Sequence, residues 1–255
     1  MRLASRAARL LVPLLLAVTL AACGSSTPQH QKSGGASSGS SGSSSNNLTN
    51  AFPFASASLP SYTASYAISG STQGTMTWTI APEGQTETLV TIQQQFQGNV
   101  ETDHVVLTRK GLRFVSAQEE ATAPGHHLTI SAKVQGKKIV ETANVDGKAE
   151  AVSYPVTGQT LVNVAMLAVL AGLDVQPGQL QVVQDVILKH GTAVPIGFTA
   201  NDRAKVTTPA GTFSVVPVTL SGSGPNQKVF IDTQSHVMVK YQNGQTTISL
   251  TKLSQ

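Results

Sequence analysis

From Leu59 onward, apolar and polar residues alternate along the chain, and glycine or proline interrupts the alternation at short intervals. In residues 75–80, Met76, Trp78 and Ile80 fall on one side and three threonines fall on the other. A period of two places successive side chains on opposite faces of a strand. This segment therefore predicts a half-buried antiparallel strand with Met76 and Trp78 facing the core.

The same alternation recurs in residues 128–134 and 248–250, and turn residues separate the apolar runs throughout. We count about ten strands, mostly joined as hairpins. The strongest turn signal is Asn243-Gly244, which favours a two-residue type I′ turn because both residues tolerate positive φ. The pattern as a whole predicts a mainly β fold of the α+β class.

Residues 160–173 break the alternation, and they predict the one helix of the domain. Thr160 is suited to cap its beginning, Gly172 lies at its end, and Pro177-Gly178 follows. At 1.5 Å per residue the helix is roughly 20 Å long, which is too short to span a membrane. It is apolar nearly all the way round, so it must be covered on more than one side.

The sequence allows three alternatives for what packs against this helix: strands and loops of the same domain, a second protomer, or a lipid-like ligand. If a ligand covers it, the contacts come from the apolar face of the strand and from the helix. The candidate ligand contacts are Met76, Trp78, Leu161, Met166 and Leu170.

The beginning of the chain has the features of a secretion signal. Three arginines within the first nine residues precede an apolar run over residues 10–16, which is too short for a mature transmembrane helix. The small-residue motif Leu20, Ala21, Ala22, Cys23 follows and resembles the bacterial lipoprotein signal. That resemblance implies cleavage before Cys23 and attachment of lipid to its sulfur. The alternative is an ordinary cleaved signal peptide with an incidental cysteine.

These features divide the chain into three parts. Residues 1–22 are the predicted signal peptide, and residues 23–58 are the acylated cysteine followed by a disordered tether rich in serine and glycine. Residues 59–255 form a single β-rich domain. We therefore expect the domain to lie on the outer side of the cell membrane, with the lipid bilayer as a partner through Cys23.

The charge balance removes nucleic acid from the expected partners. The chain has 17 basic and 13 acidic side chains, a formal charge of +4. Three of the basic residues lie in the signal and Lys32 lies in the tether, which leaves 13 of each sign in the domain. A balanced domain lacks the basic surface that phosphate backbones require. Because Cys23 is the only cysteine, its acylation leaves no thiol for a disulfide or a metal site.

No arrangement of side chains in the sequence points to catalysis, to a cofactor or to a metal site. His126 and His127 are adjacent, so on a strand they point to opposite faces and cannot chelate one ion together. Asp103-His104 resembles a base with its orienting carboxylate, but solvated residues at a strand end are the favoured interpretation. Glu119-Glu120 is the one adjacent acidic pair, and the other acids are scattered. The protein is therefore expected not to be an enzyme.

Residues 205–213, with the sequence KVTTPAGTF, resemble the V-x-T-P-A-G-T-F turn and strand of a family of exported bacterial proteins classed as a domain of unknown function. Later strands carrying Asp232 and ending in Val239-Lys240 follow the same order as in that family. The resemblance implies a strongly curved antiparallel sheet or half-barrel. The implied arrangement is also similar to that of half-barrel lipoproteins that carry lipids or lipoproteins across the envelope. In those proteins a helix packs on the concave face of the sheet. No catalytic residue comes with it.

The preferred hypothesis is a membrane-anchored, non-enzymatic module that binds or carries an apolar, lipid-like ligand or an envelope partner. The first alternative is an envelope structural or assembly protein without a ligand, which a helix fully covered by its own chain would favour. The second is a hydrolase or a metal-dependent enzyme, which would need histidine, carboxylate and nucleophile in one cleft.

Overall fold

The computed structural model describes residues 51–156, 160–188, 192–222 and 227–255. A short 3-10 helix (Phe54–Ser56) comes first. The first eight strands are β1 (Tyr62–Ser69), β2 (Gly74–Glu83), β3 (Glu87–Phe96), β4 (Asn99–Thr108), β5 (Phe114–Ala123), β6 (His126–Gln135), β7 (Lys138–Val145) and β8 (Lys148–Pro155). The remaining elements are β9 (Thr160–Val162), α1 (Asn163–Ala171), β10 (Leu180–Ile187), β11 (Thr192–Ala200), β12 (Ala204–Thr208), β13 (Gly211–Ser221), β14 (Gln227–Asp232), β15 (Val237–Asn243) and β16 (Thr246–Ser254).

The sixteen strands in the described ranges belong to one open sheet. Its order is β8-β7-β6-β5-β4-β3-β2-β1-β16-β15-β14-β13-β11-β10-β9, with β12 paired to β13 off this path. Neighbouring strands are antiparallel, except that β9 and β10 are parallel. For the described residues, a mainly β fold with one α-helix is confirmed. Within the described ranges, no helix is long and apolar enough to cross a membrane.

The predicted number of about ten strands was wrong, for two physical reasons. Strands β3 to β8 follow one another with little gap, and four of their connections are two-residue turns at residues 97–98, 124–125, 136–137 and 146–147. Such turns leave little interruption in the sequence pattern. In addition, β8 is almost entirely exposed, so its sequence lacks the apolar alternation that marks a half-buried strand.

The helix begins later than the sequence predicted. Residues Thr160–Val162 form strand β9, which pairs with Gln184–Val186 of β10, and α1 starts at Asn163 with Val162 as its N-cap residue. Thr160 is therefore not the cap, and its hydroxyl lies 3.3 Å from Oε1 of Gln184. Thr160 and Val162 are β-branched and favour a strand, because their χ1 angles are restricted in a helix and their side chains pack well on a pleated sheet. The predicted end is confirmed, since the N–H of Gly172 donates to the carbonyl of Ala168 at 3.0 Å.

The sheet curves around α1. The helix contacts β9, β10, β14 and β15 on one arm of the sheet and β4 on the other. Because β4 lies far from β14 in the strand order, one short helix can touch both only from inside a curved sheet. The alternation predicted for β2 is confirmed, with Met76, Trp78 and Ile80 buried. The core thus lies between the concave face and α1.

The ordered structure reaches further toward the N-terminus than the predicted boundary at Leu59. Phe52, Phe54 and Ala57 are buried in the core, and the Phe52 ring centroid lies 5.9 Å from that of Phe198. Composition alone assigned this segment to the tether, because two phenylalanines among serines and alanines do not form a period. The signal motif Leu20, Ala21, Ala22, Cys23 and the tether up to residue 50 lie outside the described residues.

Two turns also bear on the sequence patterns. In the β15–β16 hairpin, Asn243 pairs with Thr246, so the loop residues are Gly244 and Gln245. Only Gly244 has positive φ there, at +57°, so the predicted Asn243-Gly244 turn was wrong in its position and in its type, because a type I′ turn needs positive φ at both loop residues. In the P-A-G-T-F segment, Thr208 pairs with Gly211, which places Pro209 and Ala210 at the tip of the β12–β13 hairpin.

Candidate functional site

Helix α1 is held inside the sheet at both ends. All of its residues except Val164 are buried. Beside its first turn, the backbone N–H of Leu188 donates to Oδ1 of Asn163 at 3.1 Å. Beyond its last turn, the N–H of Ser58 donates to the carbonyl of Gly172 at 3.0 Å. Strands on both arms and the segment before β1 therefore cover the helix on several sides.

The five candidate ligand contacts all lie in this interior. Met76 and Trp78 are on β2, Leu161 is on β9, and Met166 and Leu170 are on α1. None is more than 5% exposed. The Trp78 ring centroid lies 5.7 Å from that of Tyr66, at an interplanar angle of 59°. The residues are thus part of the packed core, and a ligand would reach them only if that packing opened.

The aromatic pair in the core carries polar atoms that lack partners. Among the described residues, neither the indole N–H of Trp78 nor the hydroxyl of Tyr66 has a hydrogen-bond partner. Burial, and secondarily the neighbouring Tyr62, raise the pKa of the Tyr66 phenol well above its usual value. The phenol therefore stays neutral. A buried polar group without a partner costs about 1–3 kcal/mol, which the packing of this region has to offset.

Asp185 is a second buried polar group in the interior. It lies on β10 between Leu161 of β9 and Val194 of β11, and it is fully buried. Both carboxylate oxygens lack a hydrogen-bond partner in the described part of the chain. Desolvation raises the pKa of this carboxyl to about 7. A raised pKa in a cleft suggests an acid–base catalyst, but Asp185 has apolar cross-strand neighbours and no such cleft is described around it.

A cluster of three carboxylates lies on the concave face of β4 and β5. Glu101, Asp103 and Glu119 are buried, and one oxygen from each lies within 4.8 Å of the others. Asp103 is directly opposite Glu119 in the β4–β5 register. Carboxylate oxygens at this separation are the donors that hard divalent cations prefer. Each of the three side chains already makes an interaction within the protein, so proximity alone does not define a metal centre.

This cluster overturns the expectation that Asp103-His104 is a solvated strand end. Both residues lie in the middle of β4, where Asp103 is buried and His104 is exposed on the opposite face. The ring nitrogen Nδ1 of His104 lies 3.2 Å from Oγ1 of Thr91. The prediction that the two side chains diverge is confirmed. They do not form a base with its orienting carboxylate.

His126 and His127 have separate surroundings. Nδ1 of His126 lies 2.9 Å from Oδ2 of Asp146, whereas Nε2 of His127 lies 4.0 Å from Oε1 of Glu120. The hydrogen bond from His126, followed by the one from the backbone N–H of His127, lowers the pKa of the exposed Asp146 carboxyl. As predicted, the two imidazoles do not converge on one site.

Sequence reasoning missed the buried acids, although a signal for them was present. Glu101 and Asp103 precede Val105 and Leu107 at intervals of two, and Asp185 follows Val183 at the same interval. Residues two apart share one face of a strand, so these acids belong to the same face as the apolar residues. Their position along the strand therefore places these acids on the buried face. Metal-ligand spacing in the sequence does not reveal this, because it does not relate an acid to the apolar residues of its strand.

Comparison with known proteins identifies the fold but no family. No family model matches the chain, and no curated protein matches it. The structure is similar to a β-barrel-like protein of the domain of unknown function DUF1849 from Brucella abortus, with a TM-score of 0.52 and 11% identity. That similarity covers 77% of this chain and 98% of the Brucella chain.

A second structural match is more distant. It is a protein from Bacteroides fragilis with a YmcC-like fold, at a TM-score of 0.26 and 6% identity, covering 80% of this chain and 100% of that one. Of these two similarities, only that to the Brucella protein supports an argument, and at 11% identity it shows the fold alone. The V-x-T-P-A-G-T-F motif remains a resemblance, because no family model matches it.

Proposed function

We propose that this protein is a membrane-tethered, non-enzymatic envelope lipoprotein that acts as a structural or assembly module, with an interior filled by its own side chains. The observation that carries the proposal is the burial of α1, in which every residue but Val164 is covered. A carrier needs an accessible apolar cavity. Here the five side chains suited to line one are already packed.

The anchoring part of the proposal rests on the sequence. The motif ending at Cys23 supplies the acylation site, and the serine- and glycine-rich tether allows the folded domain to stand away from the lipid headgroups. At about 5–6 Å times the square root of its length, a tether of this kind has an end-to-end distance of roughly 30 Å. The module thus works at the outer side of the cell membrane.

The non-enzymatic part rests on how the titratable groups are distributed. The buried acids lie on the concave face, whereas His104, His126 and His127 are exposed. General acid–base and nucleophilic catalysis need such groups within hydrogen-bond reach of one another. In the described structure none of these three histidines is hydrogen-bonded to a buried acid: His104 contacts Thr91, His126 contacts Asp146, and His127 lies near the exposed Glu120, so the requirement is not met.

Native mass spectrometry of the protein purified from its own membrane tests the proposal. We expect a chain that begins at Cys23, carries covalent acyl groups there, and has no further lipid bound. In the Cys23→Ala variant the acyl mass and the membrane association are both lost, whereas the matched Ser25→Ala variant keeps both. A stoichiometric non-covalent lipid on the wild-type chain would instead establish the carrier hypothesis.

A further inference from the structure

A groove of about 430 Å³ crosses the outer face of β4–β8, on the opposite side of the sheet from the carboxylate cluster. Two cross-strand rows of side chains form its floor. The register aligns one row as His104, Gln118, Ser131 and Thr142, and the other as Thr102, Glu120, Thr129 and Asn144. The groove thus follows the direction in which the strands are paired.

Uncharged hydrogen-bonding groups dominate this groove. Six of its side chains are hydroxyls or amides that make no side-chain hydrogen bond or ion pair among the described residues: Thr102, Gln118, Thr129, Ser131, Thr142 and Asn144. A hydroxyl and a carboxamide can each donate and accept. The groove therefore offers a dense array of both functions that the protein itself leaves unused.

The lining argues against other ligand classes. It contains no lysine or arginine, so it does not suit phosphate or nucleic acid. Its apolar contribution is limited to Ala149 and the buried Ile130, which is too little for a lipid chain. Its one exposed carboxylate is Glu120, and a single exposed carboxylate is too little negative charge to attract a basic peptide.

We propose that this groove binds a neutral glycan chain. Sugar hydroxyls donate and accept in the same way as the lining groups, and they recur along a polysaccharide as the lining groups recur from strand to strand at about 4.8 Å. The groove contains no aromatic side chain to stack on a sugar ring, so each site binds weakly, with a dissociation constant on the order of 1 mM.

Glycan binding would give the proposed envelope module a second attachment, whether or not its interior is filled. Lipid at Cys23 fixes one end of the chain to the membrane, and the glycan would hold the outer face of the sheet. Many weak sites on a polymer act together when the proteins that bind them are tethered at one surface. Native mass spectrometry tests the anchor and the filled interior, whereas a glycan-binding assay tests the groove. Either proposal can therefore fail while the other holds.

Affinity electrophoresis of the acylated mature chain in native gels containing dextran or mannan tests the groove, together with co-sedimentation on purified peptidoglycan sacculi. We expect binding to at least one of these glycans. The Thr129→Val/Ser131→Ala/Thr142→Val variant should bind at least about tenfold more weakly, because three hydrogen-bonding groups are removed while strand propensity is largely kept. The matched Thr63→Val/Thr199→Val variant changes exposed strand threonines outside the groove and should bind normally.

A further variant sharpens the result. Gln118→Ala removes one exposed amide and should weaken binding even if the triple variant is unstable. Retention by dextran or mannan assigns a free neutral polysaccharide, and retention on sacculi alone assigns the wall glycan. Failure of all three glycans to retain the wild type, or equal binding by the groove and control variants, overturns the proposal.

Discussion

Replacing Asp185 with asparagine is expected to raise the free energy of unfolding at pH 8 relative to the wild type, and to remove a pH dependence that the wild type shows. In the folded protein, desolvation raises the pKa of Asp185 to about 7. In the unfolded chain an aspartate has a pKa of about 3.9. Between these two values the folded state keeps a proton that the unfolded state has released.

The sign of the pH dependence follows from linkage. Where the folded state binds more protons, stability falls as the pH rises, by about 1.4 kcal/mol per pH unit. The wild type should therefore lose stability from about pH 4 to about pH 7 and then level off, with a total of about 2–4 kcal/mol. Asparagine does not ionise, so the variant lacks this loss. The buried amide still carries polar atoms without partners. Their cost to the free energy of unfolding is the same at every pH, so it does not change the shape of the pH profile.

Urea unfolding of both proteins at pH 4.5, 6 and 8 measures the effect. Asp202→Asn is the control, because it removes one exposed carboxylate from a loop and should follow the wild type across the range. Parallel curves for Asp185→Asn and the wild type would show that the carboxyl is solvated or paired in solution, and the description of this part of the core would be wrong.

The Leu170→Ala substitution is expected to have the other large effect. Leu170 lies on α1 and is fully buried, between the helix and the curved sheet. Truncation of a buried leucine removes its transfer free energy and leaves a cavity, at a cost of about 2–5 kcal/mol. The size of the loss depends on how far the neighbours collapse, and a helix held at both ends limits that collapse.

Leu180→Ala provides a matched control with the same chemical change. Leu180 begins β10 and is 60% exposed, so its truncation should change the free energy of unfolding by less than about 0.5 kcal/mol. Thermal and urea unfolding of the two variants give the comparison. If Leu170→Ala were as mild as Leu180→Ala, the helix would not be packed into the sheet, and the interior would be open to a ligand.

The sequence predicted those features that depend on period-two alternation. The sequence predicted that Met76, Trp78 and Ile80 share the buried face of β2, because each lies two residues from the next. The end of α1 at Gly172 also followed from local chemistry. The start of the helix did not, because pairing of residues Thr160–Val162 with β10 is a long-range interaction that outweighs their local helical pattern.

The interior was harder to predict than the strands. Whether an apolar helix is covered by its own chain or by a ligand depends on how far the sheet curves, and alternation gives no measure of curvature. Met166 and Leu170 were correctly identified as apolar positions that need a cover, but the described structure supplies that cover from β4, β14 and β15. The carboxylate cluster forms only when β4 and β5 pair in the observed register.

Quenching of Trp78 fluorescence by a brominated fatty acid tests the closed interior most directly. Trp78 is the one tryptophan in the chain, it is 1% exposed, and it packs against Tyr66 in the core. We predict that the native fluorescence is unchanged as the fatty acid is added below its micelle concentration. Saturable quenching at one fatty acid per chain would contradict the filled interior and show that the protein is a carrier.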